Sequence, residues 1–287
     1  MNRDDLMLKL AKSCGFCFGV RNALKIVEDL LKQKEKVITF GNIIHNPQVV
    51  LNLKKKGVFV IENLKDFVRG SVLVIRSHGV SLNIYRELKR LGIRFYDATC
   101  PFVKRIHKKV FEAFRKDKIV LIAGDFSHPE VVGIRGYCEK SFVFSNIEEL
   151  KKLFEEEKLQ KKEILVVAQT TFSQKIWKEA VFYIEACCEN FKIFDSICFS
   201  TKERQKEAEE KSKQCDFAVV VGGRNSSNTR KLFEICNRNC KTYHIENVLE
   251  IEKLDCDFKD KEVFLTAGAS TPDSVIKTVF DKITEII

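Results

Sequence analysis

Short apolar runs rich in Val, Ile and Phe recur along the chain, each closed by a polar turn and followed by an amphipathic stretch. They are Val37–Phe40, Val72–Ile75, Ile119–Ala123, Ile164–Ala168, Phe217–Val221 and Val263–Ala267. Each is strand-length and apolar at successive positions, so each predicts a strand covered on both faces. Their alternation with helical stretches predicts βα units and mainly parallel sheets, an α/β fold. Ile93–Tyr96 reads as a further buried strand, and Met7–Lys12 and Lys192–Phe194 read as strand-like. Helices are expected over Val20–Lys32, Phe102–Phe114 and Thr201–Lys213. The charged segment Ile147–Lys162 reads as a helix on the outside, and no Ser/Gly/Pro-rich linker divides the chain.

The turns repeat as well as the strands. Asp97-Ala98-Thr99-Cys100-Pro101 joins a strand end to a helix start, and Asp195-Ser196-Ile197-Cys198 does the same. Gly15-Phe16-Cys17 is a looser copy. A cysteine so placed suits a metal ligand or an activated thiolate, because the helix end favours negative charge. Counting 28 positions forward from Cys17, Cys100 and Cys198 reaches His45, His128 and Ser226, each in a polar turn after a strand. A third polar turn follows 61, 71 and 72 positions after the same cysteines, at His78, Thr171 and Ser270. The four prolines, Pro47, Pro101, Pro129 and Pro272, all lie within two residues of one of these turn residues. Proline stiffens a turn and opens a helix at its first position.

The pattern predicts three similar α/β units: 1–97, 98–194 and 195–287. Ligands of α/β sheets bind beyond the carboxyl ends of the strands. Arranged around a pseudo-threefold axis, the three units would bring all these turns to one central cavity.

Composition narrows the chemistry. The 287 residues are 45% hydrophobic and 31% charged, values of a globular chain with real cores. No apolar run is long enough to span a bilayer. Met1–Asp5 lacks the basic and apolar regions of a secretory signal, so a cytoplasmic protein is expected, without membrane partners. The net charge of +10 admits anionic ligands, but the basic residues lie along amphipathic helices without interleaved aromatics, which argues against nucleic acid. The cysteines number eleven, an odd count that complete pairing cannot satisfy. Cys138, Cys187, Cys188, Cys215, Cys236, Cys240 and Cys256 share no turn context and read as ordinary apolar residues. Cys14-x-x-Cys17 is a candidate redox pair, although only Cys17 fits the repeat.

Three thiolates can hold three irons of a [4Fe–4S] cluster and leave the fourth open to substrate. A zinc site built from Cys17, Cys100 and Cys198 is an alternative, but structural zinc cysteines usually come in close pairs. His45, His78, His128, Thr171, Ser226, Asn228 and Ser270 all donate hydrogen bonds, and at helix N-termini they suit a phosphate or diphosphate. His107 and His244 fall outside the pattern, and His107 reads as structural. Glu130, beside His128, reads equally as a proton donor or as a first-turn glutamate steadying its helix.

These residues resemble the 4-hydroxy-3-methylbut-2-enyl diphosphate reductase (IspH/LytB) family. The resemblance rests on Gly15–Val20, His45-Asn46-Pro47, Ser77–Val80, Asp97–Pro101, His128-Pro129-Glu130, Gln169-Thr170-Thr171, Ser196-Ile197-Cys198, Asn225–Asn228 and Thr266–Ser270. It implies a [4Fe–4S] cluster on Cys17, Cys100 and Cys198, with one open iron for the substrate's hydroxyl. It implies a diphosphate held by His45, His78, His128, Ser226, Ser227, Asn228 and Ser270, and protons relayed by Glu130 with Thr171. The implied activity is reductive dehydroxylation to isopentenyl and dimethylallyl diphosphate, with electrons from a reduced ferredoxin or flavodoxin. It also implies that the N-terminal strand completes the third unit's sheet. The nearest rival is a quinolinate-synthase-like three-cysteine dehydratase. Its carboxylate substrate would call for arginine forks, and Arg224 is the only arginine in these turns.

Overall fold

The computed structural model describes residues 7–287. The segment read above as lacking a secretory signal lies outside the described residues. The chain opens with β1 (Leu8–Leu10), α1 (Phe18–Lys32), β2 (Val37–Phe40), α2 (Pro47–Lys55) and β3 (Phe59–Ile61). It continues with β4 (Val72–Ile75), α3 (Leu82–Arg90), β5 (Phe95–Asp97), α4 (Pro101–Phe114) and β6 (Ile119–Ala123). Next come α5 (Pro129–Arg135), β7 (Ser141–Phe144), α6 (Ile147–Glu156), β8 (Glu163–Ala168), α7 (Gln174–Cys187) and β9 (Asn190–Phe194). The chain closes with α8 (Phe199–Ser212), β10 (Phe217–Val221), α9 (Ser227–Cys236), β11 (Lys241–Ile245), β12 (Val263–Ala267) and α10 (Asp273–Ile286).

These strands form three four-stranded sheets, ordered β3-β2-β4-β5, β7-β6-β8-β9 and β11-β10-β12-β1. All pairings are parallel. The three orders are one pattern, with β1 supplying the fourth place in the last sheet although it comes from the opposite end of the chain. The six apolar runs are the six inner strands. The edge strands carry the weaker signals, and β3, β7 and β11 went unread. Ile93–Tyr96 was expected to be a buried strand. Instead β5 is an edge strand, with Tyr96 exposed and Phe95 and Asp97 half-buried, because its outer flank has no partner strand among the described residues.

The described residues fall into two compact units. One holds the chain up to Val20, His45–Leu51 and Phe199–Ile287; the other holds Arg21–Ile44 and Asn52–Cys198. The second unit contains the first two sheets. On the β7-β6-β8-β9 sheet, alternate residues serve opposite layers, as the period of two requires. Val120, Ile122, Leu165 and Val167 meet Ile106 and Val110 of α4 and Val131 and Ile134 of α5. Leu121, Ala123, Val166 and Ala168 meet Leu150 and Phe154 of α6 and Trp177, Ala180 and Ile184 of α7. So α6, expected on the outside, buries one face and exposes its charged face. Each of the fully buried Val, Leu, Ile and Phe side chains among them contributes about 1.5–3 kcal/mol.

The first unit repeats the scheme on the third sheet. Ala218, Val220 and Phe264 pack on α8 and α9, and Val219, Val221 and Leu265 pack on α10. None of the helices among the described residues is long and apolar enough to cross a membrane.

Candidate functional site

The candidate residues lie in loops at the carboxyl ends of the strands or in the first turns of the helices that follow, and the three cysteine turns share one local construction. Cys17, Cys100 and Cys198 each immediately precede a helix, α1, α4 and α8. All three are half-buried. Each cysteine's backbone N–H donates to a carbonyl in the turn after the neighbouring inner strand: Cys17 to Ala269 (3.1 Å), Cys100 to Ser77 (2.9 Å) and Cys198 to Thr170 (3.0 Å). Each cysteine therefore closes the sheet before it, while α4 packs on the sheet that follows. A thiolate at a helix N-terminus is stabilised by the dipole and by unpaired N–H groups.

In the unit holding Cys100 and Cys198, an almost continuous run of contacts joins the two. Ser77, which holds Cys100, precedes His78. The His78 ring meets that of His128 edge-on, centroids 5.5 Å apart. His128 caps α5: its Nδ1 accepts from the backbone N–H of Glu130 at 3.2 Å. In the neutral ring the proton then sits on Nε2. Glu130 is buried, and its two carboxyl oxygens accept from Thr170, Oε1 from the backbone N–H at 2.6 Å and Oε2 from Oγ1 at 2.7 Å. Thr170 in turn accepts from Cys198 through its carbonyl. Burial raises the Glu130 carboxyl to about 7 against the opposing pull of the Thr170 hydrogen bonds. Thr171, the expected relay partner, accepts from Gln169 Nε2 at 2.8 Å.

Glycine and His107 brace this arrangement. Gly79 has φ +74°, and a Cβ there would sit 2.6 Å from Cε1 of His107. His107 is buried and stacks on Tyr137 at 4.3 Å, and burial lowers it to about 4, so it is neutral at physiological pH.

The other unit carries Cys17, His45, Ser226, Ser227, Asn228 and Ser270. Ser270, next to the Ala269 that holds Cys17, donates from Oγ to the His45 carbonyl at 3.0 Å. Ser226 caps α9, its Oγ accepting from Thr229 N at 3.4 Å. Asn228, in the first turn of α9, is 3% exposed, yet neither polar atom of its side-chain amide has a partner. A buried amide beside a helix N-terminus has the chemistry to receive an anion. The Cys17 turn is clamped from α8: Arg204 donates to the Gly15 carbonyl at 2.7 Å, and Glu207 accepts from the backbone N–H groups of Lys12 and Ser13 at 2.7 and 2.9 Å.

Sequence reasoning missed Thr170 as the carboxyl's partner and Arg204 as the clamp. The first stood in a quoted turn without a role. The second was one basic residue among many on α8, and only its burial sets it apart.

The family model described as LytB protein matches residues 8–284. The chain belongs to the LytB family. Among its relatives, the 4-hydroxy-3-methylbut-2-enyl diphosphate reductase of Caldanaerobacter subterraneus subsp. tengcongensis is 44% identical over 283 residues, 96% of this chain and 95% of the relative. The protein of the same name from Clostridium perfringens strain 13 is 41% identical over 286 residues, 96% and 98% of the two chains. A solved structure described as (E)-4-hydroxy-3-methyl-but-2-enyl diphosphate reductase, the terminal enzyme of the non-mevalonate pathway, matches with TM-score 0.69 and 36% identity. It covers 98% of this chain and all of that one. The Plasmodium falciparum E-1-hydroxy-2-methyl-but-2-enyl-4-diphosphate reductase matches with TM-score 0.89 and 29% identity, over 96% of this chain and 87% of that one. In this LytB family member the quoted motifs lie at the strand-end loops and run into the strand ends and first helical turns that flank them.

Proposed function

We propose that the chain is a 4-hydroxy-3-methylbut-2-enyl diphosphate reductase, acting at the end of the methylerythritol phosphate route to isoprenoids in the cytoplasm. It is an oxidoreductase of the LytB family. The observation that carries the reading at the level of chemistry is the link Glu130–Thr170–Cys198. It puts a buried carboxyl, raised to about 7, one residue away from a cysteine at a helix N-terminus.

Cys17, Cys100 and Cys198 would hold a [4Fe–4S] cluster. The donor set fits: three half-buried thiols, each at a helix N-terminus and each with its backbone fixed by a neighbouring loop. When bound, the cluster supplies the electrons and the Lewis acidity for loss of the allylic hydroxyl. The stoichiometry is one substrate, two electrons and two protons to isopentenyl or dimethylallyl diphosphate and one water.

The chain's own residues bind and protonate. His45, His78, His128, Ser226, Ser227, Asn228 and Ser270 take the diphosphate. His128 serves it through Nε2–H, since Nδ1 is committed to the α5 cap. The orphaned Asn228 amide gains its partner from the anion. Glu130, raised to about 7, is protonated in a substantial fraction of molecules at neutral pH and, with the Thr170–Thr171 turn, delivers its proton as the C–O bond breaks. A reduced ferredoxin or flavodoxin would supply the electrons. The dehydratase sharing the three-cysteine design is not favoured, because the relatives carry the reductase name.

The test is anaerobic. Cluster-loaded protein is mixed with reduced viologen, with and without 4-hydroxy-3-methylbut-2-enyl diphosphate, and the products are identified. Substrate-dependent viologen oxidation yielding the two five-carbon diphosphates is expected. An intact cluster without such oxidation would overturn the reading.

A further inference from the structure

Two cysteines that play no part in the proposed reaction meet at the other end of the third sheet. Phe217 of β10 and Lys241 of β11 are register partners. One step further back the register brings Asp216 opposite Cys240, so Cys215 and Cys240 lie one residue out of register at the amino ends of adjacent strands, away from the turns that carry Ser226 and Ser270. Their sulfurs are 3.7 Å apart in hydrogen-bond contact. A spacing of about 4.8 Å between strands and an offset of one residue, about 3.3 Å, put their Cα atoms roughly 6 Å apart, a separation that a disulfide spans. Both residues are half-buried, so a small reagent can reach them. The sequence reads both as ordinary apolar residues, and the structure adds that their sulfurs are in contact.

The pair is asymmetric. The Cys215 sulfur lies 3.5 Å from the Ser212 carbonyl, and the Cys240 sulfur lies 3.8 Å from Thr242 Oγ1. Hydrogen bonding with Cys215 lowers the Cys240 thiol, against burial and the nearby Asp216 charge, while Cys215 is pushed up. The third thiol of the neighbourhood, Cys236 on α9, is fully buried and pushed up to about 12 by that burial, so it stays unreactive.

We propose that Cys215 and Cys240 form a redox-active dithiol that exchanges with low-molecular-weight disulfides such as oxidised glutathione. The Cys240 thiolate attacks one sulfur of the small disulfide, breaks its S–S bond and releases one thiol. Cys215 then loses its proton, attacks the Cys240 sulfur of the mixed disulfide and releases the second thiol. The protein dithiol gives up two electrons and two protons, and the small disulfide becomes two thiols. The new bond ties the edge strand β11 to β10 and encloses α9 with its Ser226–Asn228 turn.

The test uses the full chain under argon. It is equilibrated with oxidised and reduced glutathione at graded ratios, quenched in acid, alkylated and digested with trypsin for mass spectrometry. Cleavage separates Cys215 (Gln214–Arg224), Cys236 (Leu232–Arg238) and Cys240 (Asn239–Lys241). The expected product is Gln214–Arg224 joined to Asn239–Lys241, reversible with dithiothreitol, with Cys236 recovered alkylated. In Cys215→Ser, Cys240 should accumulate as its glutathione adduct. A bridge through Cys236, a lasting glutathione adduct on Cys240 in the unaltered chain, or full alkylation of both thiols at the most oxidising ratio would each overturn the proposal.

Discussion

At the Glu130 carboxyl two influences compete. Removal from water favours the neutral acid, and the two Thr170 hydrogen bonds favour the anion. Burial wins, leaving the group near 7 in the folded chain against an ordinary value of 4.5. Because the folded value is raised, the associated stability is fully present below about pH 4.5. It is lost as pH rises through about 7, a change of roughly 3 kcal/mol. Glu130→Gln copies the neutral acid's shape and hydrogen bonds, so unfolding followed from pH 5 to pH 8 should lose that slope. The same variant should keep cluster and diphosphate binding while kcat falls by about 10²-fold or more. Near-normal turnover would remove Glu130 from the proton path.

Gly79 makes a different demand. Its φ of +74° and the 2.6 Å approach of His107 leave no room for a methyl group. Gly79→Ala should lower the Tm by several degrees, on the order of 2 kcal/mol. An unchanged melting curve would show that the His78 turn relaxes freely.

The inner strands were legible in the sequence because burial on both faces makes them apolar at every position. The edge strands β3, β7 and β11 were not, because a strand with one partner and a half-exposed surface carries no comparable run. The cysteine turns were legible through their spacing. Which carbonyl holds each cysteine was not, because the Cys17–Ala269 contact joins residues more than 250 positions apart.

The first turn of α9 gives a test at this scale. Asn228 makes no internal hydrogen bond through its side chain, so Asn228→Ala removes nothing that the fold uses. Its Tm should stay within about a degree while the Kd for inorganic diphosphate rises about tenfold, read by calorimetry. A destabilised variant with unchanged affinity would give Asn228 a structural role instead. Helix α8 gives another. Losing the Arg204 clamp on Gly15 should free the Cys17 turn, so Arg204→Met should speed alkylation of Cys17 several-fold in the cluster-free chain. An unchanged rate would mean that Glu207 holds the turn alone.

Among the described residues, one pattern of four parallel strands occurs three times, and each time the loop after the last strand carries a cysteine whose N–H is held by the neighbouring loop. That recurrence, together with family membership over residues 8–284, supports the proposal of one cluster on three cysteines. The sequence carried it because the spacing of 28 is preserved in all three copies. The most direct measurement is iron and sulfide content with visible absorbance after anaerobic reconstitution. It should be made on the unaltered chain and on Cys17→Ser, Cys100→Ser, Cys198→Ser and Cys14→Ser. About four irons per chain are expected in the unaltered protein and in Cys14→Ser, with the stable cluster lost in each of the other three. An intact cluster in any of those three, or loss in Cys14→Ser alone, would contradict the account.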